Sequence, residues 1–291
     1  MRYAVARMLP LAGALALAAP AVAQDVDTPP ASDPDAGESV FDGDYLTIGA
    51  GGAYVPSYDG SDDYVFTPVP LIQGSIAGIG ISPRGGGLAL DFIPDGAGAG
   101  AHFAFGPTVR LRMSRANQVK DEVVKLLPEL DTAIEVGPSA GVSFPGVLNP
   151  YDSLSMTVDV RWDVAGAHNG MVVDPSLSYL TPLSTGMVAA LSVSGEWADD
   201  DFMDYYYSID ADAAAVTGLD QFKAGGGGFK SVGANLLLGW DLDNDLRNGG
   251  LALFAVGGYS KLLGDAADTP FTAERGSANQ WLGGVGIAYT F

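Results

Sequence analysis

The sequence predicts an all-β fold, a transmembrane antiparallel β-barrel of the bacterial outer membrane with about 12 strands. Three observations predict it. Segments of roughly ten residues alternate apolar and polar side chains, and a tilted strand of about that length crosses a bilayer. Aromatic residues lie at the ends of the apolar faces, where such barrels carry interfacial girdles. The long connections all follow odd-numbered strands, which places them on one side of the membrane.

The final stretch, residues 279–291, is the predicted closing strand. With a period of two, its second face is small or polar, with Leu282 as the exception. In a soluble protein such a strand would be an aggregation-prone edge, whereas in a barrel it pairs with the first strand and closes the ring. Its first face is apolar and ends in aromatics: Trp281, Val285, Ile287, Tyr289 and Phe291.

The composition excludes several classes of protein. The chain has 291 residues, 40 of them glycine, no cysteine, and a formal net charge of -21. Without cysteine there is no disulfide framework, thiolate zinc site or cysteine nucleophile. The acidic balance argues against a nucleic-acid partner, because phosphates would be repelled.

The sequence predicts three segments: a signal peptide, a flexible N-terminal segment and a barrel domain. Residues 1–23 are predicted to be a cleaved signal peptide, because Arg2 and Arg7 precede a short apolar run and the small residues 21–23 suit a peptidase. Residues 24–43 are rich in Pro, Asp and Ser and are predicted to be a flexible acidic N-terminal segment without a fold element. Residues 44–291 are predicted to form the barrel.

The strand count follows from the alternation. Twelve is an even number, as closed bacterial barrels require, and 10 or 14 strands are the alternatives. The weakest segments, 76–82 and 86–93, could be one bent strand. The predicted strands are 45–54, 63–73, 76–82, 86–93, 100–112, 131–142, 153–164, 171–181, 186–197, 229–242, 249–261 and 279–291.

The connections give an independent check on this count. The long ones, 114–130, 198–228 and 262–278, each follow an odd-numbered predicted strand. With the N-terminus in the periplasm, all three face the outside of the cell, and most other turns are short. A barrel of the outer membrane has this asymmetry.

Charged residues on the polar faces are expected to project into the lumen. On the lipid face a charge would cost roughly 2–4 kcal/mol at the midplane. They form either a paired ladder that fills the interior or a selectivity filter, and the modest interior of about twelve strands favours the ladder. These residues are Arg110, Arg112, Glu135, Asp159, Arg161, Asp163 and Glu196.

Two acidic clusters lie in predicted outside loops. Clustered carboxylates suit calcium or magnesium, but neither cluster has the spacing of an EF-hand. The favoured alternative is that the carboxylates cap turns or pair with Lys230 or Arg275. One cluster comprises Asp199, Asp200, Asp201 and Asp204, and the other comprises Asp59, Asp62 and Asp63.

The sequence assigns no catalytic, cofactor-binding or metal-binding residue, and no enzyme activity or cofactor is expected. Its two histidines are His102, at a strand position expected to face the lumen, and His168, in a short connection. No His-Glu-x-x-His motif is present, and the Gly-x-Ser-x-Gly match at 137–141 lies inside the predicted strand 131–142, without the strand-to-helix turn that exposes a nucleophilic serine. The glycine run at 225–228 lacks the strand-to-helix context of a phosphate-binding loop.

Three stretches carry a family resemblance. They are GGAYVPSYDGSDDY at 51–64 with PVPL at 68–71, WADDDFMDYYY at 197–207 with GGGGFKSVG at 225–233, and YSKLLGDAADTP at 259–270 with ERGSANQ at 274–280. In this order and spacing they resemble the MipA/OmpV family of MltA-interacting outer-membrane proteins. The resemblance covers roughly residues 44–291 and is weakest over 114–152.

The resemblance implies a non-enzymatic outer-membrane barrel. It also implies a scaffold role, in which the barrel connects a lytic transglycosylase, and through it a murein synthase, to the inner face of the membrane. The alternative is a small-solute pore or an adhesin that acts through its lumen or extracellular loops. The expected partners are outer-membrane lipid, lipopolysaccharide and the two murein enzymes, and no nucleic acid. The fold leaves the choice between these roles open.

Overall fold

The computed structural model describes residues 39–94, 100–116 and 118–291, and its twelve antiparallel strands form a closed barrel. The predicted fold class and strand count are confirmed. The predicted segments 76–82 and 86–93 correspond to two separate strands, Ile79–Arg84 and Gly87–Asp91, which form a hairpin. The strands are β1 (Tyr45–Pro56), β2 (Tyr64–Ile76), β3 (Ile79–Arg84), β4 (Gly87–Asp91), β5 (His102–Arg112), β6 (Ala133–Pro145), β7 (Ser153–Asp163), β8 (Met171–Ser184), β9 (Met187–Ala198), β10 (Gly228–Asp241), β11 (Gly250–Leu262) and β12 (Asn279–Thr290).

Short helices lie in the long connections, where the sequence analysis placed only loops. Asp199 starts the first one by accepting a hydrogen bond from the Phe202 N–H, and Asp210 caps the second through the Ala213 N–H. No helix among the described residues is long and apolar enough to cross a membrane. The helices are α1 (Asp200–Tyr207), α2 (Ala211–Thr217), α3 (Asp265–Asp268) and α4 (Pro270–Ala273), with 3-10 turns at Val40–Asp42 and Val124–Leu126.

Strand β12 closes the ring against β1, as predicted. The two strands pair from Thr47 opposite Thr290 to Tyr54 opposite Gly283. The predicted face assignment is confirmed as well. Leu282 packs against an apolar cluster in the lumen. The side chains of the outward face are exposed, namely Trp281, Val285, Ile287, Tyr289 and Phe291.

The outer wall is an apolar belt between two aromatic girdles. Exposed aliphatic side chains such as Val158, Leu191 and Val232 cover the middle of the strands. Because lipid tails are apolar, this surface is stable only in a bilayer. Exposed aromatics lie near one rim, namely Tyr54, Phe66, Trp162, Phe229 and Trp281, and near the other rim, namely Phe144, Trp240, Tyr289 and Phe291.

The two ends of the barrel differ in the length of their connections. At one end, here called the loop end, the segments 113–132, 199–227 and 263–278 join β5 to β6, β9 to β10 and β11 to β12. At the other, the turn end, β2 is joined to β3 by residues 77–78 and β8 to β9 by residues 185–186. All three long connections therefore lie at one end, which confirms the predicted asymmetry.

The barrel wall is shortest at the β3–β4 hairpin. Only three residue pairs join β2 to β3, from Gly74 to Ile76, and three join β4 to β5. The rest of β2 towards the loop end therefore has no β3 partner, and this part holds Pro68 and Pro70. Proline has no N–H to donate, so within sheets it is tolerated mainly at such edges.

Residues 39–43 differ from the prediction that the segment 24–43 forms no element. The Ser39 hydroxyl accepts from the Phe41 N–H, while the Asp42 carboxylate accepts from the Ser39 N–H, so a capped 3-10 turn forms. The Val40 N–H donates to the Arg247 carbonyl at the turn end. Phe41 is only 1% exposed, because its ring packs into the apolar cluster of the lumen. Residues 1–38, including the predicted signal peptide, lie outside the described part of the chain.

Candidate functional site

A connected set of ionised side chains, here called the ion network, occupies the lumen on the side of β3 to β10. It contains five cations and five anions that form continuous ion pairs. All ten are contributed by inward-facing strand positions, except for one aspartate from the β1–β2 loop. The members are Asp59, Arg84, Arg110, Arg112, Glu135, Asp159, Arg161, Asp174, Glu196 and Lys230.

Arg161 is the hub of the first half of the ion network. It pairs with Asp159 at 2.9 Å, with Glu135 at 3.5 Å, and with Asp174. Asp159 also accepts from Arg84 Nε at 2.8 Å, which ties the short β3–β4 hairpin to β7. Each of these groups is nearly or wholly buried, so the charges are paired with one another rather than with bulk water.

Glu196 is the hub of the second half. Its carboxylate lies 3.0 Å from Arg110 Nη1, 3.1 Å from Arg112 Nη2 and 2.9 Å from Lys230 Nζ. Lys230 also pairs with Asp59 at 2.6 Å, which fastens the β1–β2 loop over the network. The network therefore links seven strands to a loop at the loop end.

The balance of charge decides between the two predicted roles of these residues. Because five cations face five anions, the network has no net charge and does not favour ions of one sign over the other. A buried charge without a partner is costly, so the pairing is required for folding. The geometry favours the paired ladder over the selectivity filter.

The structure places six of the seven predicted lumen charges in this network. Asp163 is the exception, because its carboxylate accepts from the Ala165 and Asn169 N–H groups and shapes the turn after β7. Arg84 and Asp174 were not among the predicted lumen charges. Arg84 belongs to a short hairpin, and Asp174 follows Val172, an apolar residue that also faces inward and obscures the alternation. Parity counted from the start of β8 would have found Asp174, whereas Arg84 lies outside the predicted segment 76–82.

Both histidines are buried, in different surroundings. His168 is buried, its Nδ1 accepts from the Gly170 N–H at 3.0 Å, and its Nε2 lies 3.4 Å from Glu135. His102 faces the lumen, as predicted, and lines a cavity of about 30 Å³, which is room for roughly one water molecule. Among the described residues, no hydroxyl is hydrogen-bonded to the His168 ring.

Apolar side chains fill the rest of the lumen, on the side of β1, β2 and β8 to β12. This apolar cluster was not predicted, because the inward faces were expected to be polar. Gly286 makes room for the Phe254 ring, since a Cβ there would lie 2.2 Å from its Cζ. The cluster comprises Phe41, Ala53, Val55, Val65, Val69, Leu71, Leu180, Val188, Ala190, Leu237, Leu246, Ala252, Phe254 and Ala288.

The long loops fold over the loop end and form a second core, here called the loop cap. It joins the segments 113–132, 199–227 and 263–278. The Thr269 hydroxyl donates to the Tyr207 carbonyl at 2.9 Å, and the Phe202 ring lies 4.7 Å from the Arg112 guanidinium, so the loop cap rests on the ion network. Its buried aromatics are Tyr58, Phe202, Tyr206, Tyr207 and Phe271.

The acidic clusters order these loops. Asp199 accepts from the Phe202 N–H and from the Met171 N–H at 2.7 Å, which anchors α1 to β8. Asp204 pairs with Lys223 at 2.5 Å, and hydrogen bonds from Lys223 and Ser208 hold the pKa of Asp204 below its usual value. These contacts, together with the Asp59–Lys230 pair, support the favoured capping and pairing interpretation.

Arg275 has a different partner from the one expected. Its guanidinium pairs at 2.7 Å with Asp121, which belongs to neither acidic cluster. The Asp121 carboxylate also accepts from the Val123 and Val124 N–H groups. These contacts connect the 113–132 and 263–278 loops across the top of the barrel.

A closed strand ring with an apolar outer belt, aromatic girdles and a filled lumen defines an integral barrel of the outer membrane. Residues 48–291 match the family described as MltA-interacting protein MipA. The chain belongs to this family, and the predicted resemblance is confirmed.

No curated protein matches the chain. Among solved structures, the chain is similar to the Pseudomonas putida toluene transporter TodX, with 9% identity, a TM-score of 0.36, and coverage of 86% of this chain and 89% of that chain. The CymD monoaromatic hydrocarbon channel gives 10% identity, a TM-score of 0.36 and the same coverage. Pseudomonas aeruginosa OprD gives 9% identity, a TM-score of 0.28, and coverage of 89% and 98%.

Proposed function

We propose that this protein is a non-conducting outer-membrane scaffold that binds murein-remodelling enzymes at its periplasmic face. The enzymes are a lytic transglycosylase and, through it, a murein synthase. The observation that carries the proposal is the filled lumen. A barrel that holds a balanced ion network and an apolar cluster in its interior has its free surfaces at the two ends.

Both ends of the lumen are covered by packed side chains. Phe41 and Leu246 cover the apolar cluster at the turn end, and the loop cap covers the ion network at the loop end. Water-filled pores instead have polar lumens with continuous free volume. The packing therefore supports a scaffold more than a small-solute pore.

The turn end presents a rigid apolar surface. Leu148, at the tip of the β6–β7 turn, is 78% exposed, and its neighbour Val147 is also exposed. Asp152 holds this turn in place, because its buried carboxylate accepts from the Val147, Leu148 and Asn149 N–H groups and from the Tyr179 hydroxyl. An exposed leucine on a fixed turn can bury its apolar surface against a partner protein without first ordering the turn.

The turn end would face the periplasm. Short turns lie on that side in outer-membrane barrels, and both the Phe41 segment and the last strand reach this end. The family name, MltA-interacting protein, supports a murein enzyme as the partner. No catalytic role is proposed for any side chain of this chain.

Export through a cleaved signal peptide is part of the proposal. Cleavage after Ala23 would leave Gln24 as the first residue of the mature protein. N-terminal sequencing of the protein from the outer-membrane fraction tests this point. A mature chain that begins at Met1 would contradict it.

Conductance tests the closed lumen. The purified protein in planar bilayers should show no steady channel current. Deletion of residues 200–224, which removes α1 and α2 from the loop cap, provides a variant with one end opened. A steady wild-type current that this deletion leaves unchanged would favour the pore alternative and overturn the scaffold proposal.

Site-specific cross-linking tests the partner. A photo-reactive residue at Leu148 should capture the lytic transglycosylase in intact cells, identified by mass spectrometry. The matched control is Val216, a 62% exposed apolar residue of α2 at the loop end, which should not capture it. Capture at neither position, or equally at both, would contradict a binding surface at the turn end.

A further inference from the structure

A cavity of about 660 Å³ lies in the loop cap, between the 113–132 loop and the α1–α2 segment. Much of its wall is apolar and includes Leu127, Leu130, Ile209 and Phe222. A cavity of this size accommodates a small organic ligand. It lies above the lumen, apart from the turn end on which the proposed scaffold function depends.

Arg115 lines this cavity and has no anionic partner among the described residues. The residue is buried, with only 7% of its surface exposed. Neither Nε nor Nη1 has a hydrogen-bond partner, and the guanidinium carbon lies 4.9 Å from the Phe271 ring centroid. Burial lowers the pKa of this guanidinium to about 10, although the nearby Tyr207 acts in the opposite direction. The group is therefore still charged at neutral pH.

An unpaired buried cation is costly for a folded protein. Other members of the cavity wall have protein partners. Asp204 pairs with Lys223 at 2.5 Å, and the Asp210 carboxylate accepts from the Ala213 N–H at 2.8 Å as the cap of α2. Both carboxylates are thus engaged elsewhere, which leaves Arg115 as a cation of the cavity wall without an anionic partner in the described part of the chain. The missing anion points to a ligand.

We propose that this cavity binds a monocarboxylate with an apolar body, whose carboxylate pairs with Arg115 and whose apolar part lies against Leu127, Leu130 and Phe222. A guanidinium matches a carboxylate in a bidentate geometry. The cationic and anionic side chains of the wall, Arg115, Lys223, Asp204 and Asp210, sum to no net charge, and the whole chain carries -21. This field disfavours a multiply charged phosphate relative to a monoanion.

Calorimetry with three probes tests the ligand class. The full-length mature protein in detergent micelles is titrated with hexanoate, with 1-hexanol, which has the same apolar chain without the charge, and with inorganic phosphate. Hexanoate should bind with a Kd of about 1 mM or tighter. Hexanol and phosphate should bind at least about tenfold more weakly. Absence of hexanoate binding at about 10 mM, or binding of phosphate in preference to hexanoate, would overturn the proposal.

Arg115→Met tests the residue. It removes the charge and retains an unbranched stem that packs on Phe271. Binding of hexanoate should weaken by about tenfold or more. The matched control is Lys125→Met, a partly exposed cation of the same loop that pairs with Glu122 at 2.7 Å, and this variant should bind normally. Equal loss in both variants, or in neither, would contradict a specific role for Arg115.

Thermal unfolding separates a ligand-binding role from a structural one. Without ligand, Arg115→Met should melt at a higher temperature than the wild type, because an unpaired buried charge is gone. Hexanoate should raise the melting temperature of the wild type and leave that of the variant unchanged. A lower melting temperature for the unliganded variant would show that Phe271 alone satisfies the guanidinium, and the proposal would be wrong.

Discussion

The two halves of the lumen are filled by different chemistry. On the side of β1, β2 and β8 to β12, the apolar cluster packs without directional contacts. On the side of β3 to β10, the ion network depends on distances of roughly 3 Å between named atoms, as between Arg84 and Asp159. Apolar packing tolerates a change of shape that conserves volume, whereas a buried ion pair tolerates no loss of one partner. The same barrel should therefore respond unequally to substitutions in its two halves.

The largest effect is expected from Arg161→Met in the ion network. It leaves Asp159, Asp174 and Glu135 short of one cation, and breaking a buried pair in this way costs about 3–5 kcal/mol. The measurement is the denaturant midpoint of protein refolded into liposomes. Arg161→Lys, which keeps the charge but loses the planar fork, should lie between the variant and the wild type. A loss below about 1 kcal/mol for Arg161→Met would mean that water already screens the network.

The next effect concerns the outer and inner faces of β7, the strand that carries Asp159 and Arg161. Val158 is exposed on the outer wall, so Val158→Arg places a charge in lipid and should cost roughly 2–4 kcal/mol. Thr157 faces inward, where its hydroxyl is bonded to Ser176 at 2.7 Å, and Thr157→Arg should impair assembly far less. Heat-modifiability on gels reports assembly. Equal impairment by both substitutions would show that the lumen tolerates charge no better than the lipid face.

The third effect concerns the ring closure beside the apolar cluster. The Phe291 N–H donates to the Leu46 carbonyl, and its exposed ring lies 4.7 Å from that of Tyr289. Deletion of Phe291 should remove an interfacial anchor worth roughly 1.5–3 kcal/mol. It should also slow pairing of the last strand with the first, seen as periplasmic accumulation and degradation. The control is Leu282→Ala on the lumen face of the same strand. If both variants reach the outer membrane at wild-type levels, β12 has no special role in closure.

The smallest effect is expected from Leu237→Met in the apolar cluster. Leu237 is buried, and the substitution nearly conserves its volume, so the loss should stay below about 1.5 kcal/mol. The same unfolding assay as for Arg161→Met gives a direct comparison of the two halves. A loss as large as that of Arg161→Met would mean that the apolar half is as sensitive to shape as the ion network is to charge.

The outer wall was predictable because one physical rule governs every strand. Lipid excludes charge, so outward positions are apolar at every second residue, and this pattern is visible in segments such as 153–164 and 279–291. The inward positions follow no single rule. Val69, Leu71 and Leu237 face the lumen beside Gln73 and Asn235, and parity alone could not distinguish a packed interior from an open one. The Ser39–Asp42 turn was missed because its order depends on packing of Phe41 inside the barrel.

By itself the sequence determined the strand count, the closing strand, the outward faces and the family, since each depends on local period or on motifs in order. Only the tertiary structure decided which lumen charges meet. Asp163 and Arg161 lie two residues apart on one strand, yet one shapes a turn and the other joins three strands. Ion pairing depends on distances across the ring, between residues such as Arg110 and Glu196 that are 86 positions apart. Those distances follow from strand register and closure, which no local pattern encodes.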